Sequence, residues 1–600
     1  MTAHLLALTV GPVQDFIAAA RRTRDLWFGS YLLSEISKAA AKAVGDRVGV
    51  NRLIFPAPGG NADLEPGSPL NVANVVLAEL GDADPAAVAR EAKEAAKRRW
   101  RDFANPVFER YQEVIQSDIW NDQVDDVIEF YAAWHPYSET TYKDDRAALM
   151  RLLAARKLCR DFAPAQGRAG VPKSSLDGLR ESVLRPPREW PGHSRRRLRL
   201  QQGEQLDVVG LVKRSWQPDS GNPSYPSVAR IAADPWIRLL KSNGIDLRPL
   251  IAACRALGGG VVHQFDTAGA RGYPQYAGFP FEGTVLFRSR HRDLRTEAEI
   301  TEGDAGFVGL TNALDTITSA ARKKKVASEP SPYLAVLVAD GDRMGAALSK
   351  LTSPDEHRQF SQTLAGFANK ARQIVQNYHG VLVYAGGDDV LAFVPVDRCL
   401  DCARKLHDSC GAALESWSEK TTTKLTLSVG LAVAHFMEPL EDLLDYGRTA
   451  EKHAKHPHPE DGEQAERDGL AVHVVKRGGG PLAIRANWSD GSKGLDKRLR
   501  QLAEQLDIGG IPTGLAYDLH EIARVYEHWT NAGLKEAIQG DTISMLGGKR
   551  PAGGSVLGAM KMFVRERVTD ARSLHSFASE LLVAKAIGTP FGPSGGTGPP

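Results

Sequence analysis

Between residues 333 and 475 the apolar positions change period repeatedly, and each change marks an element. The run Tyr333–Ala339 is apolar at every position, which predicts a strand buried on both faces, and it stops at Asp340. Ser353, Pro354 and Glu356 form a capping box with proline at the first helical position. Phe360, Leu364, Phe367, Ala371, Ile374 and Tyr378 then recur every three or four residues, predicting one buried helix face closed by His379 and Gly380. Two short apolar runs, Val381–Tyr384 and Val390–Val394, flank Gly386, Gly387, Asp388 and Asp389, the pattern of a hairpin. A second helix over about 397–418 buries Leu400, Ala403, Leu406, Cys410, Ala413 and Trp417. Alternation at Leu425, Leu427, Val429, Leu431 and Val433 predicts a strand with one face in the core. A third helix carries Leu440, Leu443, Leu444, Ala450 and Ala454, and Leu470–Val475 reads as a last strand.

This order is βαββαβ with a helix and strand appended, a ferredoxin-like palm. In that topology the first and third strands are antiparallel neighbours, so Asp340 meets Asp388 and Asp389 at one sheet edge. Clustered carboxylates at strand ends suit a hard divalent cation, and two such ions can clamp the attacking and leaving oxygens of a phosphoryl transfer. A Gly-Gly-Asp-Asp turn alone is equally a solvated turn. A second Asp-rich strand end facing it favours the metal reading. No side chain offers an obvious general base, and metal-assisted phosphoryl transfer needs none.

The rest of the chain predicts a second, decayed copy. The opening strand Leu5–Val10 ends in Gly11 and Pro12 rather than aspartate, and the hairpin between 53–56 and 72–80 holds Gly59, Gly60, Asn61 and Asp63. This palm is expected to be catalytically silent. A long helical pattern covers 85–130, and Leu515, Leu519, Ile522 and Tyr526 stripe a helical C-terminal region. The expected class is α+β, with two ferredoxin-like palms and helical intervening and C-terminal domains. The expected divisions are a first palm at 1–150, a mainly helical linker at 151–330, the catalytic palm at 331–478, a helical domain at 479–588 and a disordered Gly/Pro-rich tail at 589–600.

The segments Pro332–Gly345 and Tyr384–Asp389 resemble the palm of the large polymerase-cyclase subunit of type III CRISPR effector complexes, most closely the III-B branch. The likeness continues through Gly11–Ile17, Ala20–Arg21, Asp25–Ser34, Ala155–Lys157 with Arg160–Phe162, Leu206–Arg214 and Tyr225–Ser227. It implies an antiviral enzyme that joins ATP into cyclic oligoadenylates when its complex binds target RNA. It also implies guide RNA, target RNA and the backbone, small and guide-capping subunits as partners. Asp340, Asp388 and Asp389 would hold Mg²⁺ or Mn²⁺. The backbone amides of Gly341, Asp342, Arg343, Met344 and Gly345 would cradle the triphosphate, beside the Gly386–Gly387 turn. Asp342 would support the ligands or simply belong to the turn. Lys455 matches a phosphate-binding lysine of related cyclase palms, or is only a cation at a helix C-terminus.

Two departures from that family stand out. Many relatives begin with a histidine-aspartate nuclease domain; here the first-palm motif starts at Gly11, so no DNase of that type is expected, and His407-Asp408 lies on a palm helix. The segment Lys173–Gly178 has Ser174, Ser175 and Asp177 where relatives carry zinc-binding cysteines, so no zinc is expected. Cys399, Cys402 and Cys410 fall on a buried helix face and read as core, while His453, His456 and His458 read as solvated. Two other functions share the pattern: a diguanylate-type cyclase, whose usual turn ending differs from Asp-Asp, and a scaffold with a relict palm, which the intact aspartates disfavour.

Composition adds little. Lys+Arg 75 against Asp+Glu 73 gives a net charge of +2, which excludes a strongly basic, free-standing nucleic-acid binder. Basic clusters at Arg195–Arg199 and Arg322–Lys325 read either as RNA contacts or as solvated loops. Five cysteines without framework spacing and no apolar run of membrane length lead to a cytoplasmic expectation.

Overall fold

The computed structural model describes residues 3–588 except 160–166, 191–197, 199, 201–202, 216–224, 260, 269–271, 302, 462–463, 489–493, 508–510, 513, 531–532 and 549–555. The Arg160–Phe162 motif, most of the Arg195–Arg199 cluster and the 589–600 tail lie outside the described residues. The described residues form a mixed α+β fold with two sheets. The first comprises β1 (His4–Gly11), β2 (Leu53–Phe55), β3 (Val75–Glu79) and β4 (Glu129–Pro136) in the order β2-β3-β1-β4. The second comprises β5 (Tyr333–Asp342), β6 (Val381–Ala385), β7 (Val390–Val394), β8 (Thr426–His435), β9 (Gly469–Val474) and β10 (Leu482–Asn487), in the order β10-β9-β8-β5-β7-β6. In both sheets the opening strand sits between its third and fourth strands and is antiparallel to each. The helices used below are α1 (Thr23–Val48), α2 (Pro85–Tyr111), α3 (Pro354–Asn377), α4 (Cys399–Thr421), α5 (Leu440–Lys455) and α6 (Ala571–Gly588).

The long apolar run behaves as its pattern requires: β5 is central, with Leu334, Ala335, Val336 and Leu337 fully buried. It runs past the expected end at Ala339 because its pairing with β8 continues to Asp342 opposite Thr426. The α3 start also differs in one bond. Ser353 Oγ accepts from the Glu356 amide at 3.2 Å, as a capping box requires. The Glu356 carboxylate, however, reaches one residue further back to the Thr352 amide at 2.8 Å, and it also pairs with Lys420 at 3.0 Å. Helix α3 ends with His379 at φ 62° and the Gly380 amide donating to the Val375 carbonyl, a left-handed stop.

The second sheet continues to Asn487, beyond the expected palm boundary, because β10 pairs antiparallel with β9. The C-terminal helices extend the core on the face that already holds α3 and α4. Leu574, Phe577, Leu581, Val583 and Ile587 of α6 share one core with Val472, Ile484, Ala486 and Leu499. Arg498 and Arg567 both reach Glu580 of α6, the first at 2.8 Å and the second at 3.0 Å. The two palms meet where Arg358 of α3 donates to the Leu53 carbonyl at 3.0 Å and pairs with Glu79. There Tyr142 bonds His357 at 2.8 Å, both side chains buried.

The helix Val228–Ser242 docks on the second palm through Asp234. This buried carboxylate lies 3.1 Å from Arg230, 2.7 Å from Arg238 and 3.2 Å from His379, and Arg238 reaches on to Asp397 at 2.8 Å. Burial alone would raise the Asp234 pKa, but His379, Arg230 and Arg238 hold it down to about 2. A depressed carboxylate pKa contributes stability that is full above its unfolded value near 4 and is lost as pH falls through 2. Asp234→Asn is therefore expected to remove roughly 2 kcal/mol of stability at pH 7 and to flatten the acid limb between pH 4 and 2. Urea unfolding of both proteins across that range checks it.

Candidate metal and nucleotide site

The site is built at the end of β5. Antiparallel pairing of β5 with β7 runs from Ala335↔Val394 to Ala339↔Val390, so the residue after Ala339 faces the one before Val390. One carboxylate oxygen from each of Asp340, Asp388 and Asp389 then lies within 4.8 Å of the others. The 386–389 loop is closed by the Gly386 amide donating to the Asp389 carbonyl at 3.1 Å, with Gly387 at φ 106°. Gly341 is fixed by crowding: a Cβ there would stand 2.7 Å from Cβ of Asp388 and 2.6 Å from Cε of Met344. The missing side chain lets the aspartate turn close on the strand end.

Burial first, and then the Asp389 charge, pushes the Asp388 carboxyl up to about 7. Burial also raises Asp389, and Tyr384 beside them is raised by burial and by both aspartates. The cation found here is Lys455, which pairs with Asp340 and lies 3.1 Å from Glu451. Burial and then Arg467 lower Lys455 to about 8, while burial, Asp389 and Asp342 raise Glu451 to about 7. Three carboxylates thus converge, two of them disfavoured as anions until a cation joins them, while the one lysine is paired with Asp340. That donor set fits hard divalent cations. A cleft of about 420 Å³ between the palms, lined by Arg52, Glu79, Asp355 and Arg358 among others, contains none of these aspartates. The site is therefore identified by its donors, not by cavity size.

The structure separates residues that are adjacent in sequence. Asp342 is wholly buried and is taken up by other partners. It accepts hydrogen bonds from Thr426 Oγ1 at 2.7 Å, Ser428 Oγ at 2.9 Å and the Asp468 amide at 2.9 Å, with Arg467 at 3.7 Å. It is thus an anchor between β5, β8 and the start of β9, not part of an exposed turn. Met344 is core, Arg343 is exposed with φ 61°, and Gly345 meets nothing within 4 Å of a notional Cβ. The helix they open, Met344–Leu348, is only five residues long.

Glu451, Arg467 and the Thr426/Ser428 pair escaped the sequence reading. Glu451 had a signal, since it stands four residues before Lys455 on one helix face. Both depend on how α5 sits on β8, and Gly430 sets that distance. A Cβ at Gly430 would lie 2.1 Å from the Glu451 amide nitrogen and 2.4 Å from the Ala450 carbonyl carbon. Gly430→Ala is expected to cost about 1–3 kcal/mol and to displace Glu451 and Lys455 from the aspartates. A lowered Tm, with weaker protection of 450–455 amides in hydrogen exchange, checks this.

Cys399, Cys402 and Cys410 are buried, with burial pushing the Cys399 thiol up to about 12, so they pack as core. Ser174 and Ser175 tie their loop to Asp207 and to the Gln205 amide. His453, expected to be solvated, is instead buried because α5 turns it inward against β9. Among the described residues no helix is long and apolar enough to cross a membrane.

Comparison with known proteins bears on both sheets. Residues 333–468 match the family described as "Cas10/Cmr2, second palm domain" and residues 5–105 match "CRISPR-associated protein Cmr2, N-terminal". The CRISPR system Cmr subunit Cmr2 of Pyrococcus furiosus is 28% identical over 250 residues, a stretch covering 38% of this chain and 27% of that relative. The fold is similar to a chain of a type III-B Cmr-beta complex in its apo state, with TM-score 0.61 at 14% identity, covering 91% of this chain and 77% of that one. It is also similar to a chain of the Cmr-beta complex bound to cognate target RNA, with TM-score 0.60 at 14% identity, covering 90% and 78%.

Proposed function

We propose that this chain, whose palms match the Cmr2 N-terminal and Cas10/Cmr2 second-palm families, is the large subunit of a type III-B CRISPR effector complex. Its second palm joins ATP molecules into cyclic oligoadenylates when the complex binds target RNA. The observation that carries the reading is the convergence of Asp340, Asp388 and Asp389 within 4.8 Å at the junction of β5 with the 386–389 turn. The strand order and antiparallel pairing of that sheet support a ferredoxin-like palm.

Divalent ions bound there would neutralise triphosphate charge and lower the pKa of the attacking 3′-hydroxyl. The chain's own residues do the rest. Asp340, Asp388 and Asp389 hold the ions. Lys455, already against Asp340, stands where it can meet a phosphate oxygen, and Glu451 keeps it there through their ion pair. The amides of 341–345 border the same strand end. The first palm has Gly11 and Pro12 at the position of Asp340, so it serves as a partner surface docked through Arg358 and Tyr142. Guide RNA, target RNA and the other complex subunits are the partners this reading requires.

Incubating the assembled complex with labelled ATP, Mg²⁺ or Mn²⁺ and matching target RNA tests the proposal. Cyclic adenylyl products that depend on target RNA are expected. Their absence, with RNA binding intact, leaves the chain as a scaffold.

A further inference from the structure

A second group of ligand-type side chains begins two residues beyond Glu451 and continues into the loop after α5. His453, on the last turn of α5, is 2% exposed, and both of its ring nitrogens have partners. Nε2 is 2.7 Å from Asp461 Oδ2, and Nδ1 is 2.8 Å from Nε2 of His473 on β9. The His458 ring stacks on His453 at 3.9 Å between centroids, and its backbone amide donates to the same Asp461 oxygen at 2.7 Å. One ligand atom each from His453, His458 and Asp461 therefore lies within 4.8 Å of the other two.

A hydrogen-bonded chain His473–His453–Asp461 accounts for part of this arrangement. It does not account for a second imidazole brought against the first by a loop whose fold is fixed by the same aspartate. We propose that His453, His458 and Asp461 form a site for one divalent transition metal ion of the Zn²⁺ type, with His473 orienting His453. Two imidazoles and a carboxylate suit a borderline ion and leave a fourth position for water, whereas Mg²⁺ prefers an all-oxygen shell. When His453 binds through Nε2, its proton moves to Nδ1 and is donated to His473 Nε2. Such a hydrogen bond to the remote nitrogen fixes the tautomer and the ring angle of a ligating histidine. His473 on β9, with its Nε2 2.8 Å from that nitrogen, is placed to accept it. The buried Arg485, donating to the His453 carbonyl at 3.1 Å and to Gln464 at 2.7 Å, braces the loop against α5.

The ion would clamp the end of α5 to its following loop, with Lys455 two residues from one ligand. The inference stands apart from the nucleotide reading, and it departs from the expectation that the chain takes no zinc. It is tested on the full chain carrying Asp388→Ala and Asp389→Ala, so that the aspartate cluster does not contribute. After chelation, the protein is titrated with CoCl₂ and followed by ligand-field absorption and by Tm. About one Co²⁺ per chain is expected, displaced by Zn²⁺ but not by Mg²⁺, with a raised Tm. His458→Ala, at an exposed position, and Asp461→Ala should each weaken binding at least ~100-fold, while His456→Ala leaves it unchanged. Cobalt binding that survives both His458→Ala and Asp461→Ala, or no binding to the parent chain, overturns the site.

Discussion

Replacing Asp388 and Asp389 together by alanine is expected to lower RNA-dependent adenylyl product formation by about 10³-fold or more while the chain stays folded. The size follows from what the pair supplies, since metal-borne charge stabilisation is worth several kcal/mol of barrier and each 1.36 kcal/mol is tenfold in rate. The preserved fold follows from where the pair sits. Both carboxylates lie on a loop closed by the backbone bond from Gly386 to Asp389, which needs neither side chain. Burial, and then the Asp389 charge, raise the Asp388 pKa, so its removal relieves a desolvation cost and a repulsion and leaves stability unchanged or higher. Mg²⁺ should raise the Tm of the parent chain and not of the variant. Product at parental levels from the variant complex would remove the aspartates from the chemistry.

Arg214→Ala is expected to cost about 3–5 kcal/mol, the largest loss of stability from a single side chain discussed for this chain. The guanidinium lies 2.7 Å from Asp25 of α1 and 2.9 Å from Glu204, and all three side chains are at most 3% exposed. Truncation strands two buried carboxylates. Lysine should not rescue the variant, because Nε and the terminal nitrogens address different carboxylates and only a planar fork spans both. A variant neutralised throughout, Arg214→Met with Asp25→Asn and Glu204→Gln, should recover much of the loss, since the damage lies in the orphaned charges. Denaturant unfolding of the set decides it, and a loss below about 1 kcal/mol for Arg214→Ala would show that solvent reaches the carboxylates.

What the sequence disclosed and what it hid divide along physical lines. Elements of the second palm were legible because each has its own period: the unbroken run of β5, the three-and-four spacing of α3, the alternation of β8. The Asp340–Asp388–Asp389 convergence followed from topology alone, because strand order fixes which ends meet. Asp342 was not legible, because its partners Thr426, Ser428 and the Asp468 amide are distant in sequence and are brought beside it only by the β8 register. His453 was misread for a similar reason: its partner His473 arrives on β9, twenty residues later. The extension of the sheet to β10 was missed because Leu482–Asn487 is mixed in polarity and only its pairing with β9 defines it.

Helix α6 contributes to the same core as the sheet that carries the aspartates, and this shapes the order in which the protein can mature. A nascent chain that has emerged through Asn487 has every acidic residue of the cluster and all six strands, yet the face of β9 and β10 that carries Val472, Ile484 and Ala486 still lacks Leu574, Phe577, Leu581 and Ile587. The palm thus reaches its full stability only after residue 587 leaves the ribosome, and a chain cut before α6 should be unstable across the palm itself rather than merely short of an accessory helix. A chain cut before α6 would therefore carry all three aspartates on a sheet whose core is left open.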